Sequence, residues 1–239
     1  ANAALKVQKR EPFILDRSEG YMGVMIDDLV TKGTNEPYRM FTSRAEYRLL
    51  FREDNADLRL LEKGYELGLH DDNTLKILKE KRKLIEGELT RLENTWVKPS
   101  DEVNALLAKL GSTPIDNGIS QSQLLKRPEI VYGTLKEIDS AYPELPDDIV
   151  RQVEIQCKYE GYLKRQEDEV RRFKNLEKIK LPSDIGYKGI PGISNEICKK
   201  LSDIKPFSLG QASRISGITP AAISILMVWL KRYSGDKIA

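Results

Sequence analysis

The feature that most restricts the fold is a stretch from Asp147 to about Glu177 in which no proline interrupts a helical pattern. Gly161 is its only helix breaker, and Pro182 ends it. As a helix it would span roughly 45 Å at about 1.5 Å per residue. The segments around it carry the same signature. Asp71, Asp72 and Asn73 can cap a helix whose apolar positions are Leu75, Leu78, Ile85, Leu89 and Leu92. These intervals place one apolar stripe on a helix whose other face is rich in Lys and Glu.

Punctuation between helices is of the expected kind. Asp57 is a plausible N-cap before Leu58, with Gly68 as the stop. Ser100 can cap a helix that ends at Gly111, and residues 111–122 read as a loop. Leu124 and Leu125 open a short apolar stretch, and Arg127-Pro128-Glu129 starts a turn or helix. Tyr142-Pro143-Glu144-Leu145-Pro146 reads as a stiff linker. Ser194 caps a helix over residues 195–201. Ser208-x-x-Gln211 reads as a capping box, Gly217 as a stop, and Pro220 as the first residue of a last helix.

The first 55 residues read differently. Residues 1–7 resemble the end of a helix without an initiator Met, so the chain is expected to be a fragment. Tyr21 to Ile26 is a short apolar run with strand character, followed by turn chemistry at residues 31–35. Phe41 to Phe51 is ambiguous. Arg44, Arg48 and Arg52 would share one face of a helix, whereas Tyr47, Leu49 and Phe51 fit strand alternation. The expected class is therefore mainly α. Two helical subdomains, residues 56–146 and 147–239, follow a short mixed α/β segment over residues 1–55.

Charge narrows function less than pattern does. The net charge is +2, but residues 151–239 carry 17 basic and 10 acidic side chains, against 12 and 17 in residues 61–150. The basic part suits an acidic partner or a phosphate backbone, and equally an ordinary solvated helical surface. There is no apolar run of the roughly 20 residues that a bilayer requires. The two cysteines, Cys157 and Cys198, lie far apart, and with His70 alone a zinc site is not expected. A reduced, cytoplasmic protein is the simplest reading.

Chemistry-bearing motifs are scarce. Neither G-x-G-x-x-G nor G-x-x-x-x-G-K-[ST] is present, nor is G-x-S-x-G. Cys157 falls inside a helical pattern and reads as packed. The densest signal is residues 36–57, with Arg39, Arg44, Arg48 and Arg52 interleaved with Tyr and Phe. Arginine forks fit phosphate and aromatic faces stack on unpaired bases. The same arginines can instead pair with Glu36, Glu46, Glu53, Asp54 and Asp57 to fix a local fold. The last two helices resemble a helix-turn-helix, but the second is too apolar to read DNA. It is either buried or docks a partner.

Three long segments then point to one family. Asp27-Asp-Leu-Val-Thr-Lys-Gly-Thr-Asn-Glu-Pro-Tyr-Arg-Met-Phe-Thr-Ser-Arg-Ala-Glu-Tyr-Arg-Leu-Leu-Phe-Arg-Glu-Asp-Asn-Ala-Asp57 resembles the MnmG/GidA family closely. So do residues 152–162, Gln-Val-Glu-Ile-Gln-Cys-Lys-Tyr-Glu-Gly-Tyr, and residues 210–223, Gly-Gln-Ala-Ser-Arg-Ile-Ser-Gly-Ile-Thr-Pro-Ala-Ala-Ile. Residues 1–4 resemble the end of the family's flavin-domain signature, so the resemblance covers essentially the whole chain.

The resemblance implies a tRNA-modifying enzyme that uses FAD, reduced nicotinamide (NADH) and a methylene-tetrahydrofolate carbon. With an MnmE-type GTPase it places an aminomethyl or carboxymethylaminomethyl group on C5 of the wobble uridine. It also implies a homodimer whose C-terminal helical region binds the GTPase and tRNA. The family's glycine motif and catalytic cysteines belong to an N-terminal part, so no catalytic, flavin or metal residue carries over to this chain. Alone it is expected to be inactive. Cys157 stands where relatives are expected to have an apolar residue.

Two sets of positions follow as expectations. Arg39, Arg44, Arg48 and Arg52 would meet tRNA phosphates, and residues 1–55 would pack on the flavin core. Ile223, Met227 and Leu230, with Arg214 at the rim, would dock the GTPase, unless these apolar residues simply close the local core. The rival is a structural dimerisation domain without RNA contact, in which the long helix pairs with its copy.

Overall fold

The computed structural model describes residues 1–31, 33, 36–139 and 142–236, with backbone alone at Arg44 and at residues 232–236. Thr34 and Asn35, part of the turn expected near residue 33, lie outside the described residues. In chain order the helices are α1 (Asn2–Val7), α2 (Tyr21–Thr31), α3 (Ala56–Glu66), α4 (Asp72–Asn94), α5 (Asp101–Lys109), α6 (Gln121–Leu125), α7 (Tyr132–Ile138), α8 (Asp147–Lys178), α9 (Asn195–Ile204), α10 (Leu209–Ser213) and α11 (Pro220–Asp236). The strands among the described residues are β1 (Trp96–Val97) and β2 (Ile119–Ser120), a single antiparallel pair. The mainly α class expected from the sequence is what forms.

The chain makes two compact units. One is Leu49–Arg165; the other joins Asn2–Arg48 to Gln166–Ala239. The divisions expected at 55/56 and 146/147 therefore fall elsewhere, the second of them inside α8. The reason is local. Tyr142 and Leu145 of the proline-rich stretch pack against the first core, and Ile149, Val153 and Cys157 of α8 belong to it.

In the first unit α4 buries Leu78, Ile85 and Leu92 on one face, each two turns from the next. Asp71 caps this helix by accepting from the Thr74 amide at 2.8 Å. Leu107, Leu124, Leu125, Ile130 and Leu135 complete the centre, each fully buried. α3 stops at Gly68 (φ +76): the amides of Gly68 and Leu69 donate to the Tyr65 and Gly64 carbonyls at 2.8 and 2.9 Å. Gly111 ends α5 in the same way. Part of the stretch expected as loop, residues 111–122, pairs as β2 with β1, and the amide of Gln121 donates to the Thr95 carbonyl at 2.8 Å. Two-residue strands leave no periodic trace in a sequence.

This core also holds a polar group. Glu88 is buried and takes both ends of the Arg91 fork at 2.8 and 2.9 Å, plus the Tyr132 hydroxyl at 2.9 Å. Arg91 lies over the Tyr142 ring, 4.7 Å from its centre. Burial and the Glu88 hydrogen bond push the Tyr132 hydroxyl up to about 12, with Tyr142 opposing.

In the second unit, Leu201, Leu209, Ala212 and Leu226 form the buried centre of α9, α10 and α11. Ser194, Ser208 and Thr219 cap these helices by accepting from the Ile197, Gln211 and Ala222 amides. The capping box is half formed, because the Gln211 side chain accepts from the Phe207 amide at 2.6 Å and not from that of Ser208. Residues 21–26, read as strand, are helical. Val24, Asp28 and Thr31 of α2 are buried one turn apart, and a short apolar run alone cannot distinguish the two periods.

Candidate functional site

The most charged cluster in the second unit is built on α2. Asp16 opens it, accepting from the Ser18 amide at 2.7 Å in a tight turn. That turn lies directly on α2. A Cβ on Gly23 would sit 2.1 Å from the Asp16 carbonyl oxygen, so only glycine fits there. The turn aims Arg17 inward, with its side chain 3% exposed.

Arg17 meets three carboxylates. Its fork donates to both oxygens of Glu46 at 2.9 and 2.7 Å, and its remaining nitrogen reaches Asp27 and, at 3.4 Å, Asp28. Burial on its own would lower the guanidinium pKa. Hydrogen bonds and charge from Glu46 and Asp27 outweigh it, so the group is held still more firmly charged. Asp27 is shared with Arg214, whose fork donates to both its oxygens at 2.7 Å. Arg214 also donates to Glu177, which accepts from the Ser208 hydroxyl. Tyr38 donates to Asp28 at 3.0 Å. Two arginines thus serve four carboxylates drawn from α2, α8 and residue 46. Nearby, the Tyr47 hydroxyl is raised, first by burial and then by Glu46.

The residues singled out from the sequence fall in different surroundings. Arg39 is exposed, 5.4 Å from the centre of the Phe41 ring. Arg48 is exposed in a turn that follows Tyr47, itself at φ +49. The Arg44 side chain lies outside the described residues. Arg52 is engaged within the first unit. It donates to Asp54 at 3.0 Å, to the Leu49 carbonyl, and to Gln152 at 3.0 Å. Gln152 returns two hydrogen bonds to Asp54. Residues 41–55 hold two single-turn helices and a turn, so neither the helical face for Arg44, Arg48 and Arg52 nor the strand alternation left open from the sequence forms. The acidic neighbours that the sequence supplied claim Arg52 and leave Arg39 and Arg48 outward.

Of the alternatives left open for the docking set, the structure favours packing in the core. Ile223 and Leu230 are 7% and 6% exposed and belong to the core of the second unit. Met227 packs half-buried against that core, and Arg214 is consumed by Asp27 and Glu177. The face of α11 that is open carries Ser224 and Val228, the latter 55% exposed. With Ile190, Pro191, Ile225 and Trp229 they line an apolar groove of about 320 Å³. Sequence reading missed Arg17 altogether, because its partners lie 10 to 29 residues away.

Cys157 is buried, its thiol pushed up by burial, as expected of a packed residue. His70 is exposed. Among the described residues, no cluster of His, Cys, Asp and Glu can hold a metal ion, and no helix is long and apolar enough to cross a membrane.

Comparison with known proteins places this architecture. A family model described as the tRNA modifying enzyme MnmG/GidA C-terminal helical domain matches residues 72–167. A second, the MnmG/GidA C-terminal helical bundle, matches residues 169–238. This chain belongs to the MnmG/GidA family. The junction of the two models falls inside α8, as does the division between the two compact units.

A relative from Syntrophobacter fumaroxidans, named tRNA uridine 5-carboxymethylaminomethyl modification enzyme MnmG, is 59% identical over 97% of this chain and 36% of its own. A relative of the same name from Caldicellulosiruptor saccharolyticus is 53% identical over 97% of this chain and 37% of its own. The crystal structure of Aquifex aeolicus GidA in form II matches with a TM-score of 0.77 and 42% identity, over 96% of this chain and 36% of that one. The chain thus spans little more than a third of these MnmG/GidA proteins.

Proposed function

We propose that this chain is the recognition part of a wobble-uridine-modifying flavoenzyme of the cytoplasm, binding tRNA and an MnmE-type GTPase. The observation that carries the reading is the 59% identity to a tRNA uridine-modifying relative along nearly the whole chain. The parent reaction adds a carboxymethylaminomethyl or aminomethyl group at C5 of the wobble uridine, with FAD and NADH. The chain has no glycine-rich nucleotide loop, so its own residues do not fit a dinucleotide. Flavin chemistry is assigned to sequence that the longer relatives carry in addition, and so is the homodimer contact.

Of the three arginines in residues 36–57 whose side chains are described, Arg39 and Arg48 are exposed to meet tRNA phosphates, whereas Arg52 is held by Asp54 and Gln152. The groove between Ile190, Pro191, Ile225 and Val228 replaces Ile223, Met227 and Leu230 as the surface for the GTPase, because a partner reaches only what is exposed. Residues 1–31 also leave Met22, Ile26 and Val30 exposed on α2, which suits packing against the flavin-binding part.

The experiment is binding of this chain to tRNA, to the GTPase, and to both together. Binding to tRNA that weakens steeply with salt supports the arginine role. A complex with the GTPase that Val228→Asp abolishes supports the groove. A chain that is folded, dimeric and silent towards both supports the scaffold reading and rejects this one.

A further inference from the structure

Beside the Arg214 cluster, the segment that follows α9 presents an aromatic ring to solvent. Phe207 is 66% exposed, yet its backbone is pinned on both sides. The Leu181 amide donates to its carbonyl at 3.0 Å, and its own amide donates to the Gln211 side chain at 2.6 Å. Residues 180 and 208 pair as an isolated bridge, and the Leu209 amide donates to the Ile179 carbonyl. The buried Pro206 and Ser208 flank the ring in sequence. An exposed aromatic on so fixed a backbone loses little freedom when something stacks on it.

Two lysines accompany it, one in space and one in sequence. The Lys180 ammonium lies 4.3 Å from the ring centre. Lys205 caps α9 in the left-handed conformation, φ 50 and ψ 60, where glycine is the usual residue. The strain of a side chain there is about 1 kcal/mol or more. It turns the chain so that Lys205 is exposed two residues before the ring. Neither lysine has a carboxylate partner among the described residues. Two acids of the neighbouring cluster are already occupied. Glu177 is bound by Arg214 and Ser208, Asp27 by Arg17 and Arg214. The charge recorded against the ring itself is positive, the Lys180 ammonium.

We propose that Phe207, Lys180 and Lys205 form a stacking contact for an unpaired nucleotide of RNA, with the base on the ring and the lysines attracting its phosphates. Aromatic rings accept any base, and flanking lysines supply the backbone attraction. The assignment rests on the reading that this chain binds tRNA, and it adds a single-stranded contact in the second unit to the phosphate contacts of Arg39 and Arg48.

The test uses the whole 239-residue chain. The probes are tRNA, a short oligouridine and an RNA duplex of matched length. Phe207→Ala is expected to raise the Kd for oligouridine about tenfold and to leave duplex binding unchanged. Phe207→Trp is expected to keep the affinity, with its added tryptophan emission quenched by oligouridine. Because the ring is exposed, both variants should melt as the parent chain does. If the parent binds tRNA and Phe207→Ala binds oligouridine equally well, the stacking contact is wrong and the tRNA reading stands. If the folded parent binds no RNA, both fail. If Phe207→Ala loses only the GTPase, the ring is a protein contact and the proposal is overturned.

Discussion

Arg214 grips Asp27 with both prongs of its guanidinium at 2.7 Å, joining residues 187 apart in sequence. Both side chains are mostly shielded from water, at 15% and 18% exposure. Removing one partner strands the other. Arg214→Ala is expected to destabilise the second unit by about 3 kcal/mol. Asp27→Ala should do as much, because Arg17 loses a partner too. In a double-mutant cycle the two should couple by about 2 kcal/mol. Urea titration of the four proteins measures this, and additive effects would mean the pair is not formed.

The two classes of arginine should separate cleanly. Arg52→Ala is expected to lower stability by about 2 kcal/mol, since it leaves Asp54 and the buried Gln152 short of a partner, with tRNA affinity unchanged. Arg48→Ala should do the reverse, with stability within about 0.5 kcal/mol of the parent and weaker tRNA binding. Thermal melts alongside a binding assay read both quantities.

Gly23 tests the turn beneath Arg17. A methyl group there meets backbone at 2.1 Å, with no flexible side chain to give way. Gly23→Ala is expected to cost about 2 kcal/mol and to loosen Arg17. By contrast Gly87→Ala has open space and should be neutral or stabilising by about 1 kcal/mol, since α4 gains a better helix former. Chemical denaturation of the two variants side by side gives the comparison.

How much of this was legible follows from range. Caps and stops at Asp71, Gly68, Ser100, Gly111, Ser194 and Pro220 are read from neighbouring residues, and they form as read, whereas α10 already ends at Ser213 and Gly217 (φ +86) lies in the turn beyond it. Tyr21 to Ile26 was misread because six apolar residues satisfy either period, and burial of Val24 and Asp28 one turn apart decides for helix. The apolar side chains of α11 were visible as a run, but the face they bury was not. Which of Ile223, Ile225, Val228 and Leu230 faces the core depends on α9 and α10. The Arg17 and Arg214 cluster was invisible because every partner comes from another element.

Alkaline pH should weaken the first unit. The Tyr132 hydroxyl, ordinarily near 10, is pushed up to about 12, so the folded chain keeps a proton that the unfolded chain has released. Its contribution to stability is intact below about pH 10 and is lost as pH rises towards about 12. Urea midpoints measured across that window should fall. Tyr132→Phe, less stable at neutral pH through its lost bond to Glu88, should show a flatter decline.

The central claim is that this chain carries phosphate contacts to tRNA on exposed arginines. The direct measurement is the dependence of tRNA affinity on salt, for the parent chain and for the Arg39→Glu, Arg48→Glu double variant. The account predicts a steep inverse dependence in the parent, and weaker binding with a slope shallower by about 2 in the variant. Equal affinity and equal slope in the two proteins would contradict it.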